Sequence, residues 1–147
     1  MPDHSGQVAI VDYSLGNLYS VKHACAHVGL QAEITSSKST IANAQAVILP
    51  GVGAYGDAMA TLRRLDLVSV LHDVAASGKP LIGICLVIQL LMTESYEFGR
   101  HRGLGLIEGP VVRFDRPIEQ GRALKVPQIG WNRIVSTGQS WEETLLD

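Results

Sequence analysis

Short apolar segments alternate along the chain with segments of helical spacing, and this alternation limits the fold more than any other feature. The apolar segments are "QVAIVDY", "QAEIT", "AQAVILPGVG" and "KPLIGI". Runs of this length, bounded by turn residues, are typical of strands that are buried on both faces. Strands that alternate with helices predict an α/β fold with a doubly wound, mostly parallel sheet.

Helix-like segments fill the intervals between these strands. In the first, Asn17 is a plausible N-cap and Gly29 a left-handed cap at the C-terminus. Further helices are predicted from about Tyr55, over "LVSVLHDVAASG" and over "LVIQLLMTES". From Gly99 onward, frequent glycine and proline predict short strands and loops instead.

Composition and charge exclude several classes of protein. The chain of 147 residues has a net charge of −2 and no clustered Lys and Arg, so we expect no nucleic-acid partner. The longest apolar stretch, Leu81 to Met92, is too short to span a bilayer. Two cysteines and the absence of a signal pattern indicate a cytoplasmic protein. The length favours a single domain over residues 1–147.

A cysteine stands at the junction between the fourth strand and the helix that follows it, within "KPLIGICLVIQLL". A helix N-terminus favours an anionic sulfur, and this is the geometry of a nucleophile elbow with Cys85 in the place of serine. The alternative is a buried cysteine that acts as a small apolar residue. Gly51 to Gly53 follow another strand, where free backbone N–H groups would suit an oxyanion hole, or form an ordinary turn.

Five motifs in order resemble one family: "VDYSLGNLYSV", "LPGVGAYGDAM", "GICLVIQLLM", "RGLGLIEGPVVRF" and "KVPQIGWNRI". The chain is similar through them to the glutaminase subunits of imidazole glycerol phosphate synthase, which are class I glutamine amidotransferases of histidine biosynthesis. The resemblance implies that Cys85 attacks the side-chain amide of glutamine and forms a thioester. It also implies that Gln89 helps to hold glutamine and that the oxyanion loop is Gly51, Val52 and Gly53.

The same resemblance implies a partner, a (β/α)8-barrel cyclase subunit that receives the ammonia, and no cofactor. The positions that match segments near the interface with this partner are Asn17, Gln128, Gly130, Trp131 and Asn132. No metal site is expected, since His23 and His27 have helical spacing but lack a third ligand.

Three departures from the family pattern affect the expected activity. Val87 replaces the second glycine of the elbow, and Gln128 replaces a histidine before "GWN". The family's catalytic His and Glu would fall after the last residue, so we expect a C-terminally truncated domain with impaired activity. We expect Val87 to have helical backbone angles, to crowd the pocket, and to be replaceable by glycine without loss of stability. The alternatives are a non-catalytic module that docks on the cyclase and modulates it, and a related cysteine hydrolase.

Overall fold

Four parallel strands form the main sheet in the computed structural model, which describes residues 7–115, 118–127, 130–138 and 140–142. The strand order is β2-β1-β3-β4. The strands are β1 (Val8–Val11), β2 (Ala32–Thr35), β3 (Ala46–Gly51) and β4 (Leu81–Cys85). All three pairings are parallel, which confirms the strand assignments and the α/β class predicted from the alternating segments.

Within the residues that the structure describes, five helices accompany these strands. They are α1 (Leu18–His27), α2 (Lys38–Asn43), α3 (Tyr55–Arg64), α4 (Val68–Ala76) and α5 (Leu86–Leu90). The caps of α1 are those that the sequence predicts: the Asn17 side chain accepts a hydrogen bond from the Ser20 N–H at 3.4 Å, and Gly29 has a φ of +79°. Helix α2 was not predicted, because its six residues bury only Ile41 and show no clear period.

Alternate residues of β1 enter two separate cores, one on each face of the sheet. Val8 and Ile10 pack with Cys25 of α1 and with Ile48. Ala9 and Val11 belong to the larger core, to which α2, α3, α4 and α5 contribute Ile41, Leu62, Leu71 and Leu90. Helices therefore cover both faces of the sheet, as a doubly wound fold requires.

A second sheet begins where the sequence predicts a longer helix. Helix α5 ends at Leu90, and β5 (Met92–Ser95) follows it, so the prediction of a helix through Ser95 is wrong. Strand β5 pairs in antiparallel fashion with β6 (His101–Arg102) and in parallel with β7 (Ile107–Val111). The apolar run over residues 86–92 has no internal turn residue, so periodicity alone could not place this boundary.

The chain divides into two compact units, Met1–Arg113 and Phe114–Asp147. Both sheets above belong to the first unit. The second unit contains a two-stranded antiparallel ladder, β8 (Ile118–Glu119) and β9 (Arg122–Ala123). Throughout the described ranges, no helix is both long enough and apolar enough to cross a membrane.

Candidate active site at Cys85

Cys85 lies at a sharp turn between strand and helix. Strand β4 ends at Cys85 and α5 begins at the next residue. The backbone of Cys85 has φ +58° and ψ −117°. Residues other than glycine rarely adopt this combination, which costs about 1–3 kcal/mol. Cys85 is exposed, whereas the second cysteine, Cys25, is buried. A strained and exposed thiol at a strand-to-helix turn is the arrangement of a nucleophile elbow.

The glycine-rich end of β3 lies directly beside this turn. Gly51 is the register partner of Cys85 in the parallel ladder, so both residues lie at the carboxyl end of the sheet. After it, Val52 is half exposed and Gly53 has a φ of +99°. Within the described ranges, the N–H groups of Val52 and Gly53 donate no hydrogen bond. Unused donors beside a thiol can stabilise a negatively charged oxygen on a carbonyl that the thiol attacks.

Val87 has helical backbone angles, as expected, and is completely buried below the elbow. Its two methyl groups occupy space that two glycines leave open. A Cβ built on Gly51 would lie 2.8 Å from Cγ2 of Val87, and one built on Gly83 would lie 3.0 Å from Cγ1. Val87 therefore packs in the larger core, beside the glycine-rich end of β3.

Gln89 lies in α5, four residues after Cys85. Both are exposed. The Gln89 amide makes no hydrogen bond to the described residues and is available to a ligand at the elbow.

Tyr13 approaches the same site from the loop after β1, and sequence reasoning missed it. Its side chain is completely buried, and a Cβ on Gly51 would overlap its hydroxyl oxygen. Burial raises the pKa of the Tyr13 phenol to about 12. The sequence feature that could have identified Tyr13 is its position directly after Asp12, at the end of a buried strand. This position places Tyr13 at the same edge of the sheet as Gly51 and Cys85.

Glu97 is a second residue that the sequence did not indicate. It lies between β5 and β6, and its Oε2 accepts a hydrogen bond from the Tyr55 N–H at 2.7 Å. This carboxylate therefore caps α3, the helix that begins two residues after Gly53. A contact across 42 positions has no local signature in the sequence.

Four histidines lie among the described residues. His23, His27 and His72 are exposed on helices, and His101 packs against Gly56 and the Tyr55 ring. None of these four forms a hydrogen bond with the Cys85 sulfur. Among the residues that the structure describes, no group of three His, Cys, Asp or Glu side chains could hold a metal ion.

The predicted interface residues fall in different parts of the chain. Asn17 caps α1, as described above. Gln128 lies outside the described residues. In the second unit, Trp131 is fully exposed, and the Asn132 side chain donates to the Gly130 carbonyl at 3.4 Å. The predicted site residues that the first unit brings together are Cys85, Gly51, Val52, Gly53 and Gln89.

Comparison with known proteins shows the family of this chain. Residues 9–143 match the family model for class I glutamine amidotransferases. A relative from Rhodopirellula baltica, named imidazole glycerol phosphate synthase subunit HisH, is 50% identical over 86% of this chain and 60% of its own length. Relatives of the same name from Wolinella succinogenes and Bacillus subtilis are 47% and 45% identical, over 90% and 86% of this chain and 64% and 60% of theirs. The chain thus spans about three fifths of the length of these curated relatives.

A solved structure titled "Crystal structure of glutamine amidotransferase" has the same fold. It superposes on this chain with a TM-score of 0.60 at 21% sequence identity. The superposed part is 70% of this chain and 54% of the solved chain. The family match covers most of the chain and includes the elbow cysteine and the glycine loop beside it. The chain therefore belongs to the class I glutamine amidotransferase family.

Proposed function

We propose that the chain acts as the glutaminase subunit of imidazole glycerol phosphate synthase in histidine biosynthesis. It would bind glutamine as substrate, in the cytoplasm, in a heterodimer with a (β/α)8-barrel cyclase subunit to which it passes ammonia. The observation that carries the proposal is the pairing of Gly51 with the strained, exposed Cys85. The names of the relatives support the choice of pathway and partner.

In the proposed reaction, the Cys85 thiolate attacks the side-chain amide carbon of glutamine. The carbonyl electron pair moves to oxygen, and the N–H groups of Val52 and Gly53 stabilise that charge. When the pair returns, the C–N bond breaks, and the nitrogen takes a proton and leaves as ammonia. Water then cleaves the thioester, which releases glutamate and restores the thiol. Gln89 would orient the substrate from α5, the helix that follows Cys85.

Residues 1–147 are proposed to form part of one amidotransferase domain, because the family match runs across both compact units. The interface role of Asn17, Gln128, Gly130, Trp131 and Asn132 rests on the resemblance of their motifs and belongs to this proposal. No described histidine forms a hydrogen bond with the Cys85 sulfur.

Glutamate release in the presence of a cyclase subunit tests the proposal. We expect the 147-residue chain to release glutamate at least 1,000-fold more slowly than an extended form, since loss of the base of a triad commonly costs roughly that factor or more. In the extended form, Asp147 is followed by the segment that comes after the matched region in the Bacillus subtilis relative. Cys85→Ala should abolish turnover in the extended form, and Cys25→Ala, at the buried cysteine, should not.

Two results would contradict the proposal. Turnover that survives Cys85→Ala would show that another residue is the nucleophile. An extended form that binds the cyclase and alters its rate, but never hydrolyses glutamine, would favour the non-catalytic docking module.

A further inference from the structure

The C-terminal end of α5, the helix of the elbow, is held by the segment that connects β6 to β7. The helix has five residues, and isolated helices this short are unstable in water, so neighbouring elements must fix it. The Leu104 N–H donates to the Leu90 carbonyl at 2.8 Å. The Leu91 carbonyl accepts from the N–H groups of Leu106 and Ile107, both at 2.9 Å. These bonds satisfy carbonyls that the end of a helix leaves without a partner.

Gly103 is the residue at which this connecting segment lies closest to its neighbours. A Cβ built on Gly103 would overlap the carbonyl oxygen of Met92 and the hydroxyl of Tyr55. The same Cβ would lie 2.9 Å from the carbonyl oxygen of Leu90, the last residue of α5. Two of these groups belong to the backbone, and the third ends a completely buried side chain, so a side chain at position 103 would displace the elements that carry them.

The groups around Gly103 belong to the two helices that flank the candidate site. Tyr55 is the first residue of α3, which begins two residues after Gly53 of the proposed oxyanion loop. Leu90 ends α5, which begins directly after Cys85. Gly103 therefore contacts both the helix that follows the loop and the helix that follows the nucleophile.

These helices matter because strand pairing fixes only part of the site. The ladder between β3 and β4 ends with the pair of Gly51 and Cys85. Beyond this pair, Gly53 leads into α3 and Gln89 is part of α5. The placement of Gly53 relative to Gln89 therefore depends on how closely the two helices approach each other.

We propose that Gly103 is a positioning residue of the glutaminase site, whose missing side chain lets α3 and α5 approach closely and so places Gly53 and Gln89 on either side of bound glutamine. The inference rests on the function proposed above. Gly103 acts through the two helices and not by contact with glutamine.

Alkylation of Cys85 tests the inference without a requirement for turnover. With the chloromethyl ketone analogue of glutamine, the thiolate forms a C–S bond with the methylene carbon and chloride leaves, and the reagent occupies the glutamine site as it reacts. Iodoacetamide forms a C–S bond and expels iodide without occupying that site. Both rates are measured with the cyclase subunit present, by mass spectrometry of the peptide that contains Cys85; Cys25 is buried.

We expect Gly103→Ala to slow the chloroketone about 10-fold and to change the iodoacetamide rate less than about twofold, because a misplacement of about 1 Å can cost a positioned reaction as much as about 100-fold. The matched control is Gly105→Ala, in the same connecting segment. Gly105 has a φ of +66°, so alanine strains the backbone there too, but its Cβ would meet no atom within 4 Å. This control should leave the ratio of the two rates as it is in the parent chain.

Amide hydrogen exchange in the parent chain is a second test, which does not require the variant to fold. Labelling of Cys85 by the chloroketone should slow exchange at the N–H groups of Leu104 and Leu106, because an occupied site that holds α5 also holds the carbonyls that they bind. The control groups are the N–H groups of Gly29 and Leu30, which donate to carbonyls at the end of α1 at 3.1 and 2.9 Å and should exchange as before.

Three results would overturn the inference and leave the proposed function in place. They are a chloroketone rate for Gly103→Ala equal to that of the parent, an equal slowing of both reagents by this variant, and exchange at Leu104 and Leu106 that does not respond to labelling. A parent chain that glutamine does not protect from the chloroketone would overturn the proposed function, and the inference with it.

Discussion

At the scale of single residues, the packing around the elbow depends on two glycines, Gly51 and Gly83, which have no side chain. Val87 replaces a glycine of the family pattern, yet its methyl groups occupy the space above Gly51 and Gly83, which have no Cβ. The strained backbone is that of Cys85, which has a φ of +58°. The substitution at position 87 therefore adds apolar contact to the core and leaves the turn at Cys85 in place.

This packing reverses the sign expected for Val87→Gly. We now expect the change to lower the free energy of unfolding by about 2–4 kcal/mol, since it removes a buried side chain and adds the helix penalty of glycine. Val87→Ala should fall between the variant and the parent. Urea unfolding measures all three, and a Val87→Gly chain as stable as the parent would mean that the core closes over the lost volume.

Sequence reasoning found the part of this site that lies in local motifs. Cys85 follows an apolar strand, and Gly51 to Gly53 follow another, so the parallel-sheet rule brought them to one edge. Glu97 escaped it because it contacts Tyr55, 42 positions away. Tyr13 does follow the strand-end rule, but no local motif distinguished it from its neighbours in the loop. The orientation of Val87 was missed because its two neighbouring glycines lie on different strands.

At the scale of elements, the helix after the glycine loop is fixed from outside. Helix α3 has Ala54 at its N-cap, which provides no side-chain acceptor. Glu97 supplies that acceptor from the turn between β5 and β6, and Arg63 near the end of α3 donates to the Arg102 carbonyl at 2.5 Å. The second sheet therefore holds α3 at both ends, and with it the loop that precedes α3.

We expect Glu97→Ala to lower the free energy of unfolding by about 1 kcal/mol, the usual cost of losing an N-cap acceptor. Glu108→Ala is the control, since this carboxylate is exposed on β7 and forms no hydrogen bond with the described residues. Amide hydrogen exchange should also quicken in the first turn of α3 and nowhere else in that helix. Unchanged exchange at Tyr55 would show that the bond to Glu97 is not maintained in solution.

At the scale of the whole molecule, the main sheet ends on one side at β4 in the described ranges. Ile82 and Ile84 of this strand are 36% and 37% exposed, although the strand beside it is almost completely buried. The part of this chain that matches the relatives covers about three fifths of their length. The exposed apolar side chains of β4 therefore lie at an edge of the main sheet.

The buried phenols make the stability of the whole chain sensitive to alkali. The pKa of Tyr13 is raised by burial from its ordinary value of 10 to about 12, so the unfolded chain loses this proton first as the pH rises. The folded state then binds more protons than the unfolded state, and the contribution of Tyr13 to stability, complete below pH 10, declines between pH 10 and 12. We expect the free energy of unfolding of Tyr13→Phe to fall less steeply over this range than that of the parent, and urea unfolding at a series of pH values measures the difference.

His72→Phe, an exposed change on α4, is the control and should follow the parent. Parallel curves for Tyr13→Phe and the parent would show that the Tyr13 hydroxyl forms hydrogen bonds with water or with a protein group in solution.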